Sequence, residues 1–101
     1  MPYFQLSLQK YTIIHLSLYK EISMIDFYEV MSRIRTILTI QSEKKKILDK
    51  DIAIALKIDP QNYAVIKRRK RIPFEAIAYF SKKHKLNMNW ILFNQKPQYL
   101  T

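Results

Sequence analysis

Residues Asp51 to Pro73 read DIAIALKIDPQNYAVIKRRKRIP, and the interpretation of this stretch decides the fold. It opens as an apolar helix pattern, breaks at Ile58-Asp59-Pro60 and starts a second helix. Asp59 is a good N-cap, because its carboxylate can accept a free backbone N–H of the first turn. Pro60 then falls at the first helical position, where its missing N–H costs nothing. The second helix ends in an unbroken run of cations, Lys67, Arg68, Arg69, Lys70 and Arg71. Two short helices joined by a tight turn, the second one basic, form the pattern of a helix-turn-helix DNA reader. The competing reading is two core helices with a solvated charge run.

The spacing resembles the helix-turn-helix of phage CI-type repressors, within the lambda-repressor-like fold. In that family an apolar residue and Ala open the motif, here Ile52-Ala53. Leu56 and Ile58 bracket the turn, and Tyr63 and Ile66 anchor the second helix. The family's basic exit and Ile-Pro start of a further helix correspond to Lys67 to Pro73, and its late aromatic signature to Asn87-Met88-Asn89-Trp90-Ile91-Leu92. The resemblance runs from Ile25 to Asn94 and needs no gap between Ile52 and Pro73. It departs at two places. The family's turn glycine is Lys57, which must adopt a left-handed conformation or a different turn, at about 1 kcal/mol or more. Ile66 stands where the family often has Trp. The resemblance implies an all-α, lambda-repressor-like bundle of five short helices, and a regulator derived from a phage or mobile element.

Composition sets wider bounds. A chain of 101 residues suits one domain. Its 49% hydrophobic content is enough for a small core and too high for a disordered tail. The formal net charge of +10 favours a polyanionic partner, nucleic acid before anionic membrane. That charge is unevenly spread. Met1 to Val30 holds Lys10 and Lys20 against Glu21, Asp26 and Glu29, so the whole positive excess lies from Met31 onward. With no cysteine there is no disulfide framework, thiol nucleophile or cysteine zinc site. No apolar run reaches the length needed to span a bilayer. The absence of glycine beside plentiful Ile, Lys, Asn and Tyr suggests an AT-biased, bacterial genome.

Three segments follow from the order of the chain: residues 1–23 as an N-terminal extension, 24–95 as the helix-turn-helix domain and 96–101 as a short tail. The extension lacks the cationic start and cleavage site of a secretory signal, so a cytoplasmic location is expected. Alternation of Phe4, Leu6 and Leu8, then of Ile14, Leu16 and Leu18, suggests extended segments, with His15 on the surface. Lys20-Glu21 can also be written AAGGAG, a ribosome-binding sequence separated from Met24 by the codons of Ile22 and Ser23. On that reading Met24 is the native start and the extension is not translated.

Asp26 starts the first helix, whose apolar stripe is Phe27, Val30, Met31, Ile34 and Leu38, with Arg33 and Arg35 facing away. Gln41 to Lys46 is a basic loop, either solvated or able to hold a phosphate through Lys44 and Lys45. Asp49 is the expected cap of the second helix. The third runs from Pro60 to about Lys70 and turns Tyr63 and Ile66 inward, leaving Gln61, Ala64, Val65 and Arg68 outside. Pro73 starts a fourth helix, with Phe74, Ile77, Ala78 and Phe80 as its apolar surface and Lys82, Lys83, His84 and Lys85 as favourable end charges. Asn87 caps a fifth, in which Trp90 is a core plug and not a base-stacking platform, and Asn94 takes the left-handed terminal position.

Enzyme chemistry finds little support. The histidines, His15 and His84, are isolated, and there is no Gly-rich phosphate loop, paired carboxylate site or metal-ligand cluster, so no catalytic residue, metal, cofactor or small-molecule substrate is expected. The expected function is sequence-specific binding of double-stranded DNA by a transcriptional repressor. Gln61 can pair with adenine, Arg68 with guanine or phosphate, and Val65 can touch a thymine methyl, with Asn62 one step along. Lys44, Lys45, Lys67, Arg69, Lys70 and Arg71 would hold backbone phosphates. Phage repressors of this kind carry a second domain for dimerisation, which this chain is too short to hold. Any homodimer is therefore expected to form through the helical domain or residues 1–23. Two other readings stay open: a protein-interaction adaptor on the same fold, and an RNA or membrane-surface binder driven by charge alone.

Overall fold

Helix α1 spans Phe27–Gln41 in the computed structural model, which describes residues 25–100. The expected extended segments around Phe4 to Leu8 and Ile14 to Leu18, the placement of His15 and the start-site reading at Met24 lie outside those residues. Asp26 caps α1 as its position demands, its Oδ2 accepting the Glu29 N–H at 2.9 Å. The buried stripe is Phe27, Val30, Met31, Ile34 and Ile37. Leu38 lies at its rim, half-buried against the core, and the fully buried Ile37 is the residue the spacing argument passed over.

Both arginines of α1 turn inward, against the expectation that they face away. Arg33 donates to the Ile91 carbonyl at 2.7 Å and to Glu29 at 3.0 Å. Arg35 donates to the Ile47 carbonyl and to Asp49, so it ties α1 to the start of the next helix. A guanidinium can do this because its long apolar stem covers core residues while its planar head reaches carbonyl groups at the edge.

Helix α2 is Asp49–Ala55, and its N-cap is Leu48. Asp49, expected as the cap, is instead the first helical residue. The capping is done from inside the helix by Asp51, whose carboxylate accepts the Leu48 N–H at 2.7 Å. That is the return arm of a capping box, without a side-chain acceptor at the cap itself. Ile52 and Ala53 face the core, and Leu56 is buried just past the helix end.

Helix α3 is Pro60–Arg69, capped by Asp59, which accepts from the Gln61 and Asn62 N–H groups at 3.0 and 3.3 Å. α4 is Phe74–His84 and α5 is Met88–Phe93. Pro73 is the N-cap of α4 and not its first residue, and the Phe74 N–H reaches back to the Ile72 carbonyl at 2.9 Å. On α4 the buried residues are Ile77, Phe80 and Ser81. Phe74 and Ala78, expected to be apolar contact surface, are exposed. Ser81 takes their place because its hydroxyl donates to the Ile77 carbonyl at 2.8 Å, which satisfies its polar group inside the core. Trp90, Ile91 and Leu92 bury α5 against α1 and α4.

Three of these helices end alike. The N–H groups of Ile58, Arg71 and Leu86 bond the carbonyls of Ala53, Ile66 and Ser81, five residues back, and those of Lys57, Lys70 and Lys85 bond three residues back. Each is a Schellman closure, which needs a left-handed residue at its corner. The corners are Lys57, Lys70 and Lys85, with φ of 58°, 51° and 54°. The left-handed alternative expected for Lys57 is therefore the one adopted. Each lysine accepts a backbone cost of about 1 kcal/mol or more and brings its cation to the negative end of a helix, which offsets part of it. Asn94 closes α5 with φ of 61°, as its position requires.

His84 lies in the last turn of α4 beside Lys82 and Lys83. Its ring lies 4.3 Å from that of Phe80, and burial, with Lys83 beside it, holds its pKa below the usual imidazole value. The C-terminal segment, expected as a short tail, is bonded back to the start of α5. The Leu100 N–H bonds the Lys85 carbonyl and the Gln98 carbonyl accepts from the Asn87 N–H, both at 2.9 Å. Asn87 Nδ2 adds bonds to the carbonyls of Gln95 and Pro97, and the Lys96-Pro97 peptide is cis. Apart from the single antiparallel bridge Leu86 to Tyr99, the described residues contain no β-structure. No helix among them is long and apolar enough to cross a membrane.

Candidate nucleic-acid interface

Tyr63 sets the orientation of α3. It is 2% exposed, its ring stands 6.3 Å from that of Phe27, and Ile66 packs behind it on the same side. With that face committed to the core, the helical period leaves Gln61, Ala64, Val65 and Arg68 on the opposite face. Gln61, Ala64 and Arg68 are exposed there, Val65 is half-buried between them, and Asn62 is exposed to one side of that face. Gln61 and Asn62 also lie in the first turn, where Asp59 holds the backbone. Three of the expected base-contacting residues, Gln61, Val65 and Arg68, thus share one face of α3, and Asn62 lies beside it.

The cations expected at phosphates divide into two groups. Arg69, Lys70 and Arg71 are exposed, as is Arg68, and none of them is ion-paired among the described residues. Lys70 sits 5.8 Å from the ring centroid of Tyr28, a cation–π contact that orients it without neutralising it. Lys67 is different. Its Nζ donates to Asp49 at 2.6 Å. Asp49 also takes Arg35, and these partners hold its carboxyl below the usual carboxylate range, Lys67 through a hydrogen bond first. Lys44 is likewise engaged, its Nζ 2.9 Å from Asp51, whose pKa is lowered mainly by that contact. Lys45 is exposed and unpaired among the described residues.

Sequence reasoning missed the hollow that flanks this surface. It has a volume of about 480 Å³ and is bounded by Tyr28, Lys50, Pro60, Tyr63, Lys67 and Arg68, with Asp49 at its edge. Burial and the charge of Asp49 push the pKa of the Tyr63 hydroxyl, at the wall of the hollow, up to about 12. Tyr28 and Lys50 could have been found only from the packing of α1 and α2 beside α3, because neither belongs to the basic run. Among the described residues no group of three His, Asp or Glu side chains is placed to hold a metal ion. Comparison of the chain with protein-family models, curated proteins and solved structures finds no match in any of the three.

Proposed function

We propose that this protein binds double-stranded DNA sequence-specifically, entering the major groove with the outer face of α3, as a transcriptional repressor of phage or mobile-element type. On this reading α2, the Lys57 turn and α3 form a helix-turn-helix of the lambda-repressor-like kind. The observation that carries it is the division of α3. Its inner face is anchored by Tyr63, its outer face exposes Gln61 and Arg68 with Asn62 exposed beside them, and its exit carries Arg69, Lys70 and Arg71. Amide and guanidinium groups at the front of a helix suit base edges, and a cluster of cations at its end suits phosphates. A second copy of the chain would supply the second half-site where the operator is palindromic.

Gln61→Ala tests the reading without disturbing charge. The backbone at this position is held by Asp59 and not by the Gln61 side chain, so the helix is retained. The wild type and the variant are titrated at one salt concentration against two duplexes. One is selected by the wild type from a randomised pool, and the other is random. The variant is expected to lose about 1 to 3 kcal/mol on the selected duplex and far less on the random one. A parallel fall on both, or no fall on either, removes Gln61 from base readout.

A further inference from the structure

A second surface is built from residues that the α3 face does not use. A groove of about 740 Å³ runs between the end of α2, the Lys57 turn and α4. Its apolar lining is Ala55, Leu56, Ile58, Ala76, Tyr79 and Phe80. Phe80 and Leu56 are buried beneath it, whereas Tyr79 is 65% exposed and stands as its wall. The rim carries Lys57, Lys82 and Lys83 against one anion, Glu75. None of the three lysines is ion-paired among the described residues, in contrast to Lys44 and Lys67.

The spacing along α4 indicates the shape of an occupant. Glu75, Ala76, Tyr79, Lys82 and Lys83 recur at helical intervals, so they form one face about 12 Å long. An apolar trough of that length accepts about two turns of a helix through side chains at i, i+3 or i+4, and i+7. We propose that the groove docks an acidic amphipathic helix of a partner protein, its apolar anchors filling the trough and its carboxylates meeting Lys57, Lys82 and Lys83. The rim selects the sign of the partner's charge. A second copy of this chain, with formal charge +10, would bring like charge to a cationic rim. A nucleic-acid backbone has no apolar group to fill the trough, and a flat bilayer meets the rim without entering it.

The probe is a fluorescein-labelled peptide of about 14 residues with Leu on one helical face and Glu on the other, compared with a scrambled peptide of the same composition. The full chain is titrated by anisotropy and the site is mapped by amide chemical shifts. The expected result is saturable binding with shifts at Lys57, Ala76 and Tyr79. Tyr79→Ala should weaken binding about tenfold or more, because it removes an exposed aromatic anchor. Lys82→Gln with Lys83→Gln should weaken it further and flatten its salt dependence. Melting curves establish that each variant is folded, and a variant that fails to fold is replaced by Tyr79→Ser. Equal binding of the scrambled peptide, absence of saturation, or shifts confined to α3 would overturn the proposal. So would concentration-dependent self-association that Tyr79→Ala abolishes, which would assign the groove to a second copy.

Discussion

At the scale of single residues, three helix ends among the described residues turn left-handed corners on lysine, with no glycine. Lysine has a Cβ that crowds the following carbonyl in this conformation, which glycine avoids. Lys57 is exposed and makes no ion pair among the described residues, so the fold draws little from its side chain beyond the end charge. Lys57→Gly is therefore expected to stabilise the protein by about 0.5 to 1 kcal/mol, the gain being reduced by the freer unfolded chain. Thermal melting reads this as a rise of several degrees, and a lowered melting temperature would mean that the Lys57 side chain contributes more than the backbone costs. His84 makes the second residue-scale prediction. Its folded pKa is depressed by burial and by Lys83, so the unfolded chain binds the proton first as pH falls. The stabilisation is complete above the unfolded value of about 6.5 and is lost as pH drops through the lower folded value. Urea midpoints of wild type and His84→Gln should converge as the pH is lowered through that window. A constant difference between them would exclude a linked proton.

At the scale of elements, α3 is a short helix whose stability rests on its two ends and on Tyr63. Its N-terminus has one carboxylate serving two backbone N–H groups, and Pro60 removes a donor that would otherwise be unsatisfied. Asp59→Ala should cost about 0.5 to 2 kcal/mol, measurable by chemical denaturation. Fraying of the first turn would also displace Gln61 and Asn62, so specific DNA affinity should fall even though the loss of one surface anion by itself would raise it. If specific affinity rose instead, the repulsion between Asp59 and phosphate would outweigh its capping role. α2 depends on a different device. Asp51 caps it from the third position and pairs with Lys44, so a loop lysine expected to face phosphate is already occupied in holding the helix start.

For the molecule as a whole, the distribution of charge matters more than its total. The α3 exit carries four exposed cations in sequence, whereas Lys67, at the start of the same run, is compensated by Asp49. Each phosphate contact releases counterions and steepens the dependence of log affinity on log salt by about 0.9. Arg71→Ala should therefore make that slope shallower by about this amount on every duplex, and Lys67→Ala by distinctly less. Salt titrations of both variants on a random duplex check the order. Equal changes would show that Lys67 leaves Asp49 to reach the backbone, and a loss for Arg71→Ala restricted to one sequence would argue against a phosphate contact. The Lys-rimmed groove on the α4 side adds a second cationic surface, separate from the first in its residues.

What the sequence determined by itself was local. The helix starts at Asp26, Asp59 and Asn87, the break at Ile58 to Pro60, the inward Tyr63 and the left-handed Asn94 all follow from signals within a few residues, and the structure carries each of them. The all-helical class was legible for the same reason, since 3.6-residue periodicity is written along the chain. Tertiary structure decided the pairings. Arg33 meets the Ile91 carbonyl across 58 residues and Lys67 meets Asp49 across 18. No periodicity encodes such contacts, because they exist only once separate helices have been brought together. The same closure turned Arg35 inward, put Ser81 in the core where Ala78 was expected, lowered the His84 pKa and pinned Lys96 to Leu100 against the start of α5. It also formed the groove beside Tyr79, whose walls come from two separate stretches, Ala55 to Ile58 and Glu75 to Lys83.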